Sequence, residues 1–174
     1  QIARRAKRKR RLRRILTKAG LLPPDPQSLF GATDPYELRR RAIRERIEPH
    51  QIGRVLYHLN QRRGFLSNRK ADSANDKEEK GMLAEISELA AEMEKAGHLT
   101  LGQHLAEIND NTPQQRVRGR HTRRDMYDQE FAVIWKVQRQ HHPDLLTDAL
   151  RKDVHHTIFY QRPLRIPKSQ IGTC

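Results

Sequence analysis

The 174 residues include a single cysteine, Cys174, so no disulfide can close within the chain and cysteine alone cannot build a thiolate metal site. A reducing compartment fits that usage. No apolar run reaches the ~18 residues a membrane span needs, and no apolar stretch follows the basic N-terminus as in a secretory signal. The chain is therefore expected to be soluble and intracellular. It opens at Gln1 rather than Met, as expected for a piece of a larger protein. Hydrophobic residues make up only 35% and mean hydropathy is -0.94, so the core should be thin.

Acid is also missing where base is most abundant. Ten Lys or Arg and no Asp or Glu stand in the first 18 residues, QIARRAKRKRRLRRILTK, and the first acid is Asp25. The whole chain carries 35 Lys plus Arg against 21 Asp plus Glu, a net +14, which draws polyanions. The charge is segmented: residues 1–70 hold 20 basic and 5 acidic side chains, 71–110 hold 3 and 10, and 111–174 hold 12 and 6. This pattern suggests a basic binding face with an acidic module turned away from it. An anionic membrane fits less well, because the most basic segment has no bulky apolar face opposite its charges.

The basic run lacks Ser, Gly and Pro until Gly20, and its residue types favour helix. Leu12, Ile15, Leu16 and Ala19 give its C-terminal half a packing seam, whereas the N-terminal half reads as charged all round. Gly20 offers a left-handed cap and LLPPDP a stop. A localisation signal or disordered basic arm is the plainer alternative for such a run; the unbroken helix-forming composition and the seam argue against it.

Asp34-Pro35-Tyr36-Glu37 reads as N-cap, first-turn proline and capping acid, opening a helix to about Arg46 with Leu38 and Ala42 inward. Pro49 opens another, whose stripe Ile52, Val55, Leu56 and Leu59 stops at Gly64. Arg39, Arg40, Arg41, Arg44, Arg46, Arg54, Arg62 and Arg63 are expected outside on this hairpin. RRGFLSNRK then gathers four cations around Phe65 and Asn68, a surface suited to phosphate and base stacking, although Phe65 reads slightly better as a core residue. Residues 71–81 look like a polar connector. Leu83, Ile86, Leu89, Ala90 and Met93 follow with helical spacing, and Thr100 to Gln103 forms a capping box before Leu105 and Ile108. Residues 109–124 read as a loop with five arginines. Tyr127, Phe131, Ile134, Trp135 and Gln138, then Leu145, Leu146, Ala149, Leu150 and Val154, mark two amphipathic helices. Residues 159–174 read as an extended tail. The expected fold is all-α.

The nine histidines show no HExxH or H-x3-H set, and adjacent pairs such as His141-His142 diverge by about 100° on a helix. The basic segments hold few acids for two-metal chemistry, and no Gly-rich phosphate loop occurs. The chain therefore reads as a nucleic-acid binder without a catalytic site.

KAGLLP after the Arg-rich helix, DPYELRRRAIRERIEPHQIGRVLYHLNQRRGFLSNRK, RGRHTRRDMYDQEFAVIWKVQ and IFYQRPLRIPKSQIGTC stand in the order found in the CRISPR-associated protein nine family of RNA-guided DNA endonucleases. The chain resembles the bridge helix and recognition (REC) lobe of its compact type II-C form over nearly all its length. The resemblance implies four parts: an arginine-rich bridge helix at 1–22, a basic hairpin of the recognition lobe at 23–70, an acidic helical insert at 71–110, and a C-terminal helical part with its tail at 111–174. It implies guide-RNA binding in CRISPR antiviral defence, with Arg4, Arg5, Arg8, Arg10, Arg11, Arg13 and Arg14 on the seed backbone. Arg62, Arg63, Phe65, Asn68, Arg69 and Lys70 would grip the guide and its repeat:anti-repeat duplex, and Arg120, His121, Thr122, Arg123, Arg124 and Tyr127 would form a third contact region. Base pairing would supply sequence specificity while the protein reads backbone shape, a division of labour this family itself exemplifies.

The implied partners are guide RNA, the target DNA strand of the heteroduplex, the parent's nuclease lobe and an anti-CRISPR inhibitor protein, in a prokaryotic cytoplasm. No cofactor is expected in this chain, and Mg2+ belongs to the nuclease domains of the parent hydrolase, whose motifs are absent here. A rival reading is a basic protein-interaction module that docks an acidic, nucleic-acid-mimicking inhibitor. A general RNA chaperone is a third.

Overall fold

The computed structural model describes residues 2–27, 29, 34–64, 76–111 and 121–160, with backbone only at 76–80, 82 and 111. Within these residues the chain is all-α, with seven helices and no strand: α1 (Ile2–Lys18), α2 (Pro35–Ala42), α3 (Pro49–Arg62), α4 (Asp76–Lys95), α5 (Leu101–Asn111), α6 (Arg124–His141) and α7 (Asp148–Phe159). None is long and apolar enough to cross a membrane.

Local chemistry sets the ends of these helices. α1 stops where Gly20 takes φ +71°. The Leu21 N–H then reaches back to the Leu16 carbonyl at 2.8 Å and the Gly20 N–H to that of Thr17 at 3.1 Å, a Schellman turn that lays Leu21 over Leu16. Asp34 caps α2 by accepting from the Tyr36 N–H at 3.0 Å, with Pro35 in the first turn. At α3 the Gln51 side chain accepts from the Glu48 N–H at 3.0 Å. Thr100 caps α5 by accepting from the Gln103 N–H at 3.3 Å, and Thr147 caps α7 by accepting from Leu150 at 3.2 Å.

α6 runs through the middle, packed against α2, α3, α5 and α7, while α1 lies on α3 and α7 and α5 lies on α2. The expected seam holds: Leu12 and Leu16 are buried, with Ile15 and Ala19 against the same core. Leu38, Val55, Leu56, Leu59, Phe131, Trp135, Val154 and Ile158 complete it. Gly53 lets the turn after α1 touch α3 through backbone, since a Cβ there would lie 1.8 Å from the Leu21 carbonyl oxygen.

A buried ion pair joins three helices. Arg39 donates from Nε and Nη2 to the two carboxylate oxygens of Glu130, each at 2.6 Å, and the Gly102 N–H donates to the same group at 2.9 Å. The rings of Tyr36 and Tyr127 flank the guanidinium at 5.5 and 5.4 Å. Burial pulls the Arg39 pKa down, but the charge and hydrogen bonds of Glu130 outweigh it and leave the group above its ordinary value. Nearby, the buried Gln138 amide donates to the carbonyls of Ala42 and Glu45, each at 2.7 Å, and accepts from the Ile47 N–H at 3.1 Å.

Several expectations need correction. Arg39 and Arg54 are buried rather than exposed. α2 ends at Ala42, not near Arg46, because Gln138 binds its last carbonyls and the turn beyond. Helix begins at Asp76 inside the expected connector, where Glu and Lys are good helix formers. α6 starts at Arg124 and α7 runs to Phe159, whose ring packs edge-on against Phe131.

Candidate nucleic-acid interface

Residues advance about 100° around a helix, and this divides the cations of α1 between two faces. Arg4, Lys7, Arg11, Arg14 and Lys18 alternate three and four apart and are all exposed, a row about 20 Å long at 1.5 Å per residue. Arg5 and Arg8 continue the Leu12/Leu16 seam toward the N-terminus: Arg8 is half-buried, while Arg5 stays exposed on the same side. The half of α1 expected to lack a seam thus has one built of arginine. Arg8 Nε donates to the buried Asn60 Oδ1 on α3 at 2.9 Å, and Lys9 sits 5.6 Å from the Tyr57 ring centre. Arg10 and Arg13 are exposed on further sides; Arg13 donates to the Pro24 carbonyl at 2.8 Å.

The end of α3 and the start of α6 meet the inner face. Gly64 takes φ +71°, and a Cβ there would lie 2.5 Å from the Arg123 carbonyl oxygen. Only glycine allows this approach, which brings Arg63 beside Arg124. A concavity of about 410 Å³ results, lined by Arg5, Arg8, Gln61, Arg62, Arg63, Gly64, His121, Thr122 and Arg124. Members of all three expected contact regions therefore converge in one pocket.

Among the described residues no carboxylate lines it. On α2 and α6, by contrast, two arginines meet acids: Arg40 bonds Asp110 and Glu37, and Arg139 bonds Asp148. These partners hold Arg40 and Arg139 above the ordinary arginine value. In the pocket the direction reverses. Burial, then Arg124 and Arg8, bring Arg63 down to about 10. Burial and Arg5 lower Arg8, and burial and Arg8 lower Arg124. Arg63 Nη2 donates to the Tyr160 carbonyl at 3.3 Å, while its Nε is buried without a hydrogen bond. Mutually repelling guanidinium groups held together on a concave wall favour any anion that enters.

Other contacts tie the third expected region to its surroundings. His121 Nδ1 lies 2.6 Å from a Glu85 carboxylate oxygen on α4. Arg123 bonds Asp125. Tyr127 is corrected: it is 3% exposed, flanks Arg39 and holds Thr122 through its hydroxyl at 3.4 Å, so it supports the region from the core and offers no ring to a ligand. Phe65, Asn68, Arg69, Lys70 and Arg120 lie outside the described residues. Sequence reading missed Asn60 and Gln61; the stop signal at Gly64 was legible, its contact with Arg123 was not. Among the described residues no three His, Cys, Asp or Glu side chains gather as a metal site.

No protein-family model matches the chain. A curated relative, the CRISPR-associated endonuclease Cas9 of Campylobacter jejuni subsp. jejuni, is 26% identical over 153 residues, covering 80% of this chain and 15% of that protein. A crystal structure of Campylobacter jejuni Cas9 with sgRNA and target DNA superposes with a TM-score of 0.74 at 21% identity, over 99% of this chain and 25% of that one. St1Cas9, solved with sgRNA, tDNA20 and AcrIIA6, gives 0.72 at 19% identity, over 93% and 20%. In sequence over 80% of its length and in fold over 93–99% of it, the chain resembles one segment of a Cas9 endonuclease, spanning 15–25% of the whole.

Proposed function

We propose that this chain binds guide RNA, and the guide RNA–target DNA heteroduplex, through backbone phosphates, as a non-catalytic part of an RNA-guided DNA endonuclease. The observation that carries the reading is the pocket in which Arg5, Arg8, Arg62, Arg63 and Arg124 meet with no carboxylate among the described residues that line it. α1 takes the role of bridge helix and residues 23–70 and 111–174 that of the recognition lobe, with 71–110 as an acidic insert. The outer row on α1 meets one stretch of sugar-phosphate backbone and the pocket another. Contacts of this kind fix register without reading bases.

The test is a gel-shift of the full chain with a matched guide scaffold and with an unrelated RNA of equal length. Tighter binding to the scaffold, weakened by R8A/R63A/R124A, supports the reading. Equal binding to both RNAs would make the chain a general RNA binder. Binding untouched by the triple substitution would remove the pocket from the interface.

A further inference from the structure

The acidic helix stands beside the basic pocket. His121 lines the pocket and also a crevice of about 110 Å³ formed with Glu85, Glu88, Leu89 and Glu92. The three glutamates are exposed and spaced by three and four residues, so they make one stripe along α4. Buried Ile86 and Leu89 anchor the helix, and His–carboxylate contacts add to them. His121 meets Glu85 at 2.6 Å, His104 meets Glu92 at 3.6 Å, and beyond the helix His98 meets Glu107 at 2.7 Å. A helix repeats every 5.4 Å, close to the spacing of successive phosphates along an extended strand. A row of carboxylates at that pitch presents to the pocket's rim a charge pattern like that of nucleic acid.

Given the reading of the pocket as a phosphate site, we infer that the Glu85/Glu88/Glu92 stripe is a built-in competitor for polyanions, occupying His121 at the rim until a ligand with several phosphates displaces it. An isolated anion or a short, loosely held strand gains too little to replace the internal carboxylates. A backbone that also engages the outer row of α1 gains enough. The acidic insert would then raise the threshold for non-cognate RNA at modest cost to the cognate guide.

The experiment compares wild type, E85Q/E88Q/E92Q and a charge-matched control at exposed acids away from α1 and the pocket, E45Q/E94Q/E107Q, in the full chain. The probe is a fluorescein-labelled oligouridylate, read by anisotropy at fixed salt. The stripe variant is expected to bind about tenfold more tightly than the control, since exposed carboxylate contacts are individually weak. In the wild type, backbone amides of 85–92 should exchange faster when the probe saturates. Equal affinities of the two variants, or slowed exchange in α4, would overturn the inference while leaving the pocket in place. Absence of probe binding to wild type, or indifference to R8A/R63A/R124A, would remove the underlying reading as well.

Discussion

Arg63 stands where burial and neighbouring arginines disfavour its charge. Its pKa, lowered to about 10 by burial and two neighbouring arginines, means that folding disfavours its charged form; this penalty is present at neutral pH and is relieved as pH rises through 10. Arg63→Met should therefore raise the Tm of the free protein at low salt, by about 2–4 °C if ~1 kcal/mol is recovered, while weakening RNA binding. A drop in both would show that Arg63 is structural. At the Arg39–Glu130 pair the sign is opposite. Glu130→Gln or Arg39→Met alone leaves one buried charge uncompensated, at a cost of about 3–5 kcal/mol in chemical denaturation, and the apolar double change R39M/E130L should recover most of it. Neither partner was legible in the sequence. Arg39 stands in RRR beside two arginines that do face solvent, and its carboxylate lies 91 residues away, so no local pattern separates it from them.

At the scale of elements the sequence was more informative, because helix ends and stripes are local. The caps at Asp34 and Thr100, the proline starts, the Gly20 stop and the apolar seam of α1 all follow from neighbours within a turn. What the sequence lacked were partners across space. Gln138 was legible as an inward position, but not as the group that collects the carbonyls after α2. Gly53, inside a good apolar stripe, gave no sign that the turn after α1 presses on it. Gly53→Ala places a methyl group inside van der Waals distance of the Leu21 carbonyl. It should cost about 1–3 kcal/mol despite alanine's better helix propensity. Thermal melts check the cost, and lost RNA affinity would show that α1 has shifted against α3.

For the whole molecule the relevant quantity is the number of phosphates met at once. With roughly 6–8 neutralised, log K should fall with log salt at a slope of about -4 to -7, measured by anisotropy across a salt series. A slope near zero would place the interaction outside electrostatics. Substituting pocket arginines should flatten the slope by about the number of phosphates lost. The candidate site was only half readable in this respect. Its residue types and segments could be named, but their convergence depends on the Gly64–Arg123 approach, and the outer and inner faces of α1 separate only once the seam is seated.

That approach also fixes when the pocket can exist. Its walls come from positions near the start, the middle and the last third of the chain, so the growing polypeptide exposes the basic rod well before Arg124 has been synthesised. Until then Arg5 and Arg8 stand without the opposite wall, and the concavity closes only when the segment at 121–124 is in place.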